Sequence, residues 1–125
     1  MPRPILQVAL IVTCLLQVFC VFLQAVLAGS FLSGTDASVR MHEIGGWVTF
    51  LVAVLQVVLL ALPAARRFGI WLLVSSVGIA TGELLQLGTG YGRFLRVHIP
   101  LAVLIVGGLA WQVTWIVQRQ SSERA

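Results

Sequence analysis

Residues 41–62 read MHEIGGWVTFLVAVLQVVLLAL, and this stretch decides what kind of protein the chain is. Beyond His42 and Glu43 it runs to its end without an ionisable side chain. At about 1.5 Å per residue it just crosses the ~30 Å of bilayer hydrocarbon. Three further stretches share that character, at 5–28, 68–87 and 94–117. The segments between them are short. Residues 29–40 carry Gly, Ser, Thr and Asp, 63–67 open on Pro63, and 88–93 read Gly-Thr-Gly-Tyr-Gly-Arg, all of it turn chemistry. The expected fold is therefore an all-α integral membrane protein, one four-helix transmembrane bundle spanning 1–125.

Composition supports that reading. The chain is 59% hydrophobic and 10% charged, with a mean hydropathy of +1.03. Soluble domains lie near 45–50% apolar and about 25% charged. Nucleic-acid binding is not expected, because the net charge of +4 comes from scattered arginines rather than a basic face. The expected partner is the lipid bilayer and the expected location a bacterial cell membrane, crossed several times. Val26-Leu-Ala28 resembles a leader cleavage site, but the apolar run before it is about twice an ordinary leader core. It is read as a retained first span. Arg3, Arg66, Arg67, Arg119 and Arg124 fall on one side of the four spans, and Arg40, Arg93 and Arg96 on the other. That balance predicts both termini in the cytoplasm.

The two halves, 1–62 and 68–118, align with each other. Val39-Arg-Met-His42 opens the second span and Leu95-Arg-Val-His98 the fourth; 14 residues after each His comes a Gln, Gln56 and Gln112. In the odd spans, the alignment sets Leu23-Gln24 to Gly29 against Gly82-Glu83 to Gly88, so Gln24 stands opposite Glu83. The halves are read as two parallel helix-pair repeats about an axis along the membrane normal.

The repeat places both histidines of the chain at one depth, near the outer ends of alternate helices. Steps of three and four put His42, Gly46, Thr49, Ala53 and Gln56 on one helix face, and His98, Ala102, Ile105, Leu109 and Gln112 on another. Such faces belong inside the bundle. If the second and fourth helices lie diagonally, the imidazoles converge from opposite sides. Two neutral imidazoles so arranged suit a six-coordinate haem iron, whereas zinc would need four ligands. Arg40, Arg93 and Arg96 stand where they could pair with the propionates of such a haem. Gln24, Glu83 and Glu43 are candidate acceptors for the second nitrogens of the histidines. The competing reading takes each His as a wetted residue of the headgroup region.

These residues resemble a family. Met41-His42-Glu43, Arg96-Val-His98, Gln24-Ala-Val-Leu-Ala-Gly29 and the stretch 82–90 look like one half of haem A synthase and its smaller four-helix relatives. The resemblance implies one haem b per chain, held between His42 and His98. Two features depart from the family pattern. Val39 stands where its catalytic half has a Glu three residues before the first His, and the first outer loop lacks the Cys pair often found there. The expectation is thus a cytochrome b-type electron carrier or haem-handling protein rather than a synthase, with an unidentified redox partner in the membrane and a possible homodimer. The alternative is a small proton-coupled transporter, with Glu83 as proton site, or an accessory subunit without cofactor.

Other residues read as structural. Cys14 and Cys20 lie on one helix and cannot bridge each other. Gly78-x-x-x-Gly82 is a close-packing signal. Trp71, Trp111 and Trp115 toward one membrane face, with Trp47 and Tyr91 toward the other, form interface belts; Trp47 could instead line a haem pocket.

Overall fold

The structure is a computed structural model that describes residues 3–122, with side chains for 5–118. Helix α1 covers Arg3–Leu32, α2 Ala37–Ala61, α3 Ile70–Tyr91 and α4 Leu95–Ser122, with a short 3-10 segment at Pro63–Phe68 between α2 and α3. No strand occurs among the described residues. All four helices are long and apolar enough to cross a membrane. The chain is a multi-pass helical membrane protein.

The helices outrun the apolar stretches at one end of the bundle, which carries the α1–α2 and α3–α4 loops and is called the loop end. Beyond Ala28, α1 stays helical to Leu32, through residues expected in a loop; Ser30 and Ser33 donate to the carbonyls of Val26 and Gly29 at 3.0 and 2.9 Å. On α3, Thr89 Oγ1 donates to the Leu85 carbonyl at 2.8 Å, and the helix passes through Gly88 and Gly90 to Tyr91. The turn into α4 is then tight, with Arg93 at φ 56°, a left-handed conformation that a residue with a Cβ seldom adopts. At the other end, the terminal end, Phe68 closes the 3-10 segment instead of opening the third span. Gly69, at φ 85° and ψ 152°, makes the bend that glycine alone tolerates well.

Each helix packs on its sequence neighbours and α4 returns onto α1, so α2 and α4 face each other across the bundle, as do α1 and α3. Toward the terminal end Leu6, Leu10, Leu60, Phe68, Leu72 and Ile116 form an apolar core that also takes in Cys14. Trp115 stacks on Trp111 at 5.3 Å and donates its indole N–H to the Phe68 carbonyl at 3.2 Å. Arg67 donates to Gln7 at 3.2 Å and Arg66 is exposed. Arg124 lies outside the described residues, as do the side chains of Arg3 and Arg119. On α1, Val8, Val12, Leu15, Phe19, Phe22 and Val26 stay exposed on one face; in a bilayer that face meets lipid.

The inner faces follow the predicted stripes. Thr49, Ala53 and Gln56 of α2 are buried, as are Ile105, Leu109 and Gln112 of α4. The two glutamines bond directly across the diagonal, Gln56 Nε2 to Gln112 Oε1 at 2.7 Å. Gln112 Nε2 donates in turn to Ser75 and Ser76 of α3, each at 2.9 Å. An amide in hydrocarbon without partners would cost several kcal/mol, so this cluster sets the register of three helices. Gly82 fits closely against α4, where an added Cβ would lie 3.3 Å from Ile105, while Gly78 is exposed with open space above it. The Gly78–Gly82 signal is therefore half internal.

Candidate functional site

His42 sits on the second turn of α2 and His98 on the first turn of α4, and both are half-buried. Because α2 and α4 are diagonal, their rings meet over the bundle axis with centroids 6.2 Å apart and planes tilted by 59°. The convergence expected from the sequence is present.

The hydrogen bonds assign the state of each ring. His42 Nδ1 lies 3.2 Å from the carbonyl oxygen of Gln24, and His98 Nδ1 lies 3.1 Å from that of Gln86. A carbonyl can only accept, so each neutral imidazole carries its proton on Nδ1. Thr89 Oγ1, 3.3 Å from His98 Nδ1, uses its own proton on Leu85 and so accepts there too. Each Nε2 is left with its lone pair and without a partner among the described residues. This is the disposition of a metal-ligating histidine, whose second nitrogen is held by a backbone carbonyl.

The spacing also suits one metal atom between the rings. An imidazole nitrogen binds a metal at about 2.0 Å, and ring centroids 6.2 Å apart leave room for one atom that both residues would hold. Glycines pack closely at this end of the bundle, one of them against His98. A Cβ on Gly90 would lie 3.3 Å from His98 Cε1, one on Gly46 would lie 3.1 Å from Leu87, and one on Gly45 would run into the side-chain amide of Gln24. Zinc-type chemistry finds no ligand set, since no group of three or more His, Cys, Asp or Glu side chains occurs among the described residues.

The rim is basic and clamped. Arg40, Arg93 and Arg96 are all exposed at the loop end, and none forms an ion pair among the described residues. Glu43 does not reach a histidine. Its carboxylate accepts the Tyr91 hydroxyl at 2.7 Å, and Tyr91 in turn accepts the Trp47 indole N–H at 3.1 Å. Trp47 is thus an exposed part of this clamp, which ties the turn bearing His42 to the end of α3 that supplies Gln86, Thr89 and Gly90.

Two residues serve in ways the sequence did not indicate. Gln24 acts through its backbone carbonyl, not its side chain. Its counterpart on α3 is Gln86, one helical turn beyond Glu83, the residue aligned with it. Glu83 is buried and accepts from Gln17 Nε2 at 2.8 Å, a second diagonal bond, from α1 to α3. Gln17, Gln86, Thr89 and Gly90 were not singled out from the sequence. Gln17 had a usable signal, since it lies two helical turns before Gln24 on the same face of an otherwise apolar span. Gln86 had none, because a backbone acceptor leaves no mark on side-chain identity; Thr89 acts through its hydroxyl, in a stretch that read as loop. No protein-family model matches the chain, and no curated protein or solved structure matches it either.

Proposed function

We propose that the chain binds one haem b between His42 and His98 at the outer end of a four-helix membrane bundle and serves as an electron carrier or haem-handling protein. One observation carries the reading: two imidazoles lie across the bundle diagonal with centroids 6.2 Å apart, each presenting Nε2 because a carbonyl holds its Nδ1. A haem ligated on both faces by histidine exchanges single electrons and keeps no open position for oxygen or substrate. The remaining work falls to the chain. Gln24 and Gln86 orient the rings, Gly90 leaves room beside the His98 ring, and the Trp47–Tyr91–Glu43 clamp holds α2 against α3. Arg40, Arg93 and Arg96 would bind the propionates, which accounts for three arginines on the outer side. The same reading places both termini in the cytoplasm of a bacterial cell and takes the helix pairs as parallel repeats. A membrane redox partner would supply or accept the electron, and a homodimer is compatible with this arrangement. The resemblance to the haem A synthase family supports haem binding, while Val39 and the missing Cys pair speak against synthase activity.

The test is a reduced-minus-oxidised spectrum of protein purified from haem-sufficient cells. Sharp haem b bands are expected, lost or converted to another ligation by His42→Ala and by His98→Ala. A haem-free product under those conditions refutes the reading. A second reading, a small proton-coupled transporter, is favoured by Glu83 alone, a carboxyl buried within a span; counter-ion flux in proteoliposomes that depends on Glu83 but on neither His would establish it.

A further inference from the structure

Glu83 is the one acid buried inside the bundle among the described residues, and the histidine site does not use it. It is 5% exposed. Oε1 accepts from Gln17 at 2.8 Å, while Oε2, also buried, has no hydrogen-bond partner. No cation stands beside it. From α1 it meets Gln17 and, further off, the Cys20 thiol, which lies near Thr49 of α2. From α4, Leu101 and Ile105 cover the adjoining Gly82. The nearest ionisable groups on α2 and α4 are at the loop end: Arg40, His42 and Glu43 on one, Arg96 and His98 on the other. Toward the terminal end, Ile79, Ile105 and Leu109 pack into an apolar layer ahead of the Gln56–Gln112 cluster.

A glutamine at position 83 would accept the Gln17 amide equally well, so the bond to Gln17 does not call for a carboxyl. What a carboxyl adds is an exchangeable proton on the oxygen that has no partner. Its position gives that proton a use. Gln86, whose carbonyl holds His98, is three residues further along α3, a rise of about 4.5 Å. A charge added between the histidines would act on Glu83 through protein and lipid, where salt screens little.

We propose that Glu83 is a proton-binding site that fills when an electron enters the site between His42 and His98. The proposal rests on the haem reading. One electron arrives from a one-electron donor in the membrane, one proton arrives from water and forms an O–H bond on Glu83 Oε2, and both leave on reoxidation. No other bond changes.

Spectroelectrochemical titration of the purified haem-loaded protein across a range of pH tests this. The wild-type midpoint is expected to fall over one pH interval, by up to ~59 mV per unit for one proton per electron. Glu83→Gln should flatten that slope, and Glu83→Asp should keep it over a displaced interval. A slope that survives Glu83→Gln assigns the proton to propionates or Cys20 and overturns the proposal, as does a flat wild-type profile. The haem-free chain provides a second readout. A protonated-carboxyl infrared band that shifts in D2O and vanishes in Glu83→Gln is expected; a band that never exchanges overturns the proposal. Failure of the haem reading would show separately, as the absence of haem bands.

Discussion

Gly88 and Gly90 lie two residues apart near the end of α3, and together they make a controlled experiment on His98. An alanine at either position gains helix propensity, up to ~1 kcal/mol. Their surroundings differ. Nothing lies within 4 Å of a Cβ at Gly88, whereas a Cβ at Gly90 would sit 3.3 Å from His98 Cε1 and 3.5 Å from its Nδ1. The ring must yield by a few tenths of an ångström, and the Nδ1 contact with Gln86, already at 3.1 Å, lengthens. Losing most of one neutral hydrogen bond costs about 0.5–1.5 kcal/mol. At about 1.4 kcal/mol per factor of ten, Gly90→Ala should weaken haem binding roughly 2- to 12-fold relative to Gly88→Ala. The assay is haem titration of the apo-protein in nanodiscs, followed at the Soret band, with thermal unfolding of both variants alongside. Equal affinities for the two variants would show that the contact between Gly90 and His98 does not orient a ligand.

Three further outcomes follow from the same geometry. Gly45→Ala meets only the far end of the flexible Gln24 side chain, so the backbone carbonyl that holds His42 should stay in place and haem affinity should be unchanged in the same titration; a 10- to 100-fold loss, the usual range for a group supporting a ligand, would show that the side chain contributes as well. Gln112→Leu removes the bonds to Gln56, Ser75 and Ser76 and leaves Gln56 Nε2 with Ser76 as its one partner, so unfolding in mixed detergent should show about 1–3 kcal/mol of lost stability, with the haem spectrum unchanged. Arg93→Gly relieves a left-handed backbone at a cost of about 1–2 kcal/mol, and should raise the unfolding midpoint while weakening propionate binding; a fall in both would contradict the assignment of strain to that turn.

The sequence carries the large features of this molecule because lipid makes them compulsory. Spans of about 20 apolar residues have few alternatives to helix, and polar residues at three- and four-residue steps have nowhere to go but inward. His42, Gln56, His98 and Gln112 could thus be placed on the inward faces of the second and fourth spans from the sequence alone. Details of the site were less legible. The acceptors for the histidines are backbone carbonyls, which any residue supplies, so the choice among Gln24, Glu83 and Glu43 by side-chain chemistry could not find Gln86. Helix ends were legible only to within a turn. α1 and α3 run on through Gly, Ser and Thr residues that read as loop, and the hydroxyls there are satisfied by the helices' own carbonyls.

The two buried amide bonds have a consequence for biogenesis. Gln17 of α1 finds its partner on α3, and Gln56 of α2 finds its partners on α3 and α4. An α1–α2 hairpin by itself lacks the partners that both glutamines have in the bundle, since neither bonds to the other helix of its own pair. Each becomes satisfied only when the second hairpin arrives and closes its diagonal. The hydrogen bonds that join the two helix pairs are thus supplied by the second pair alone.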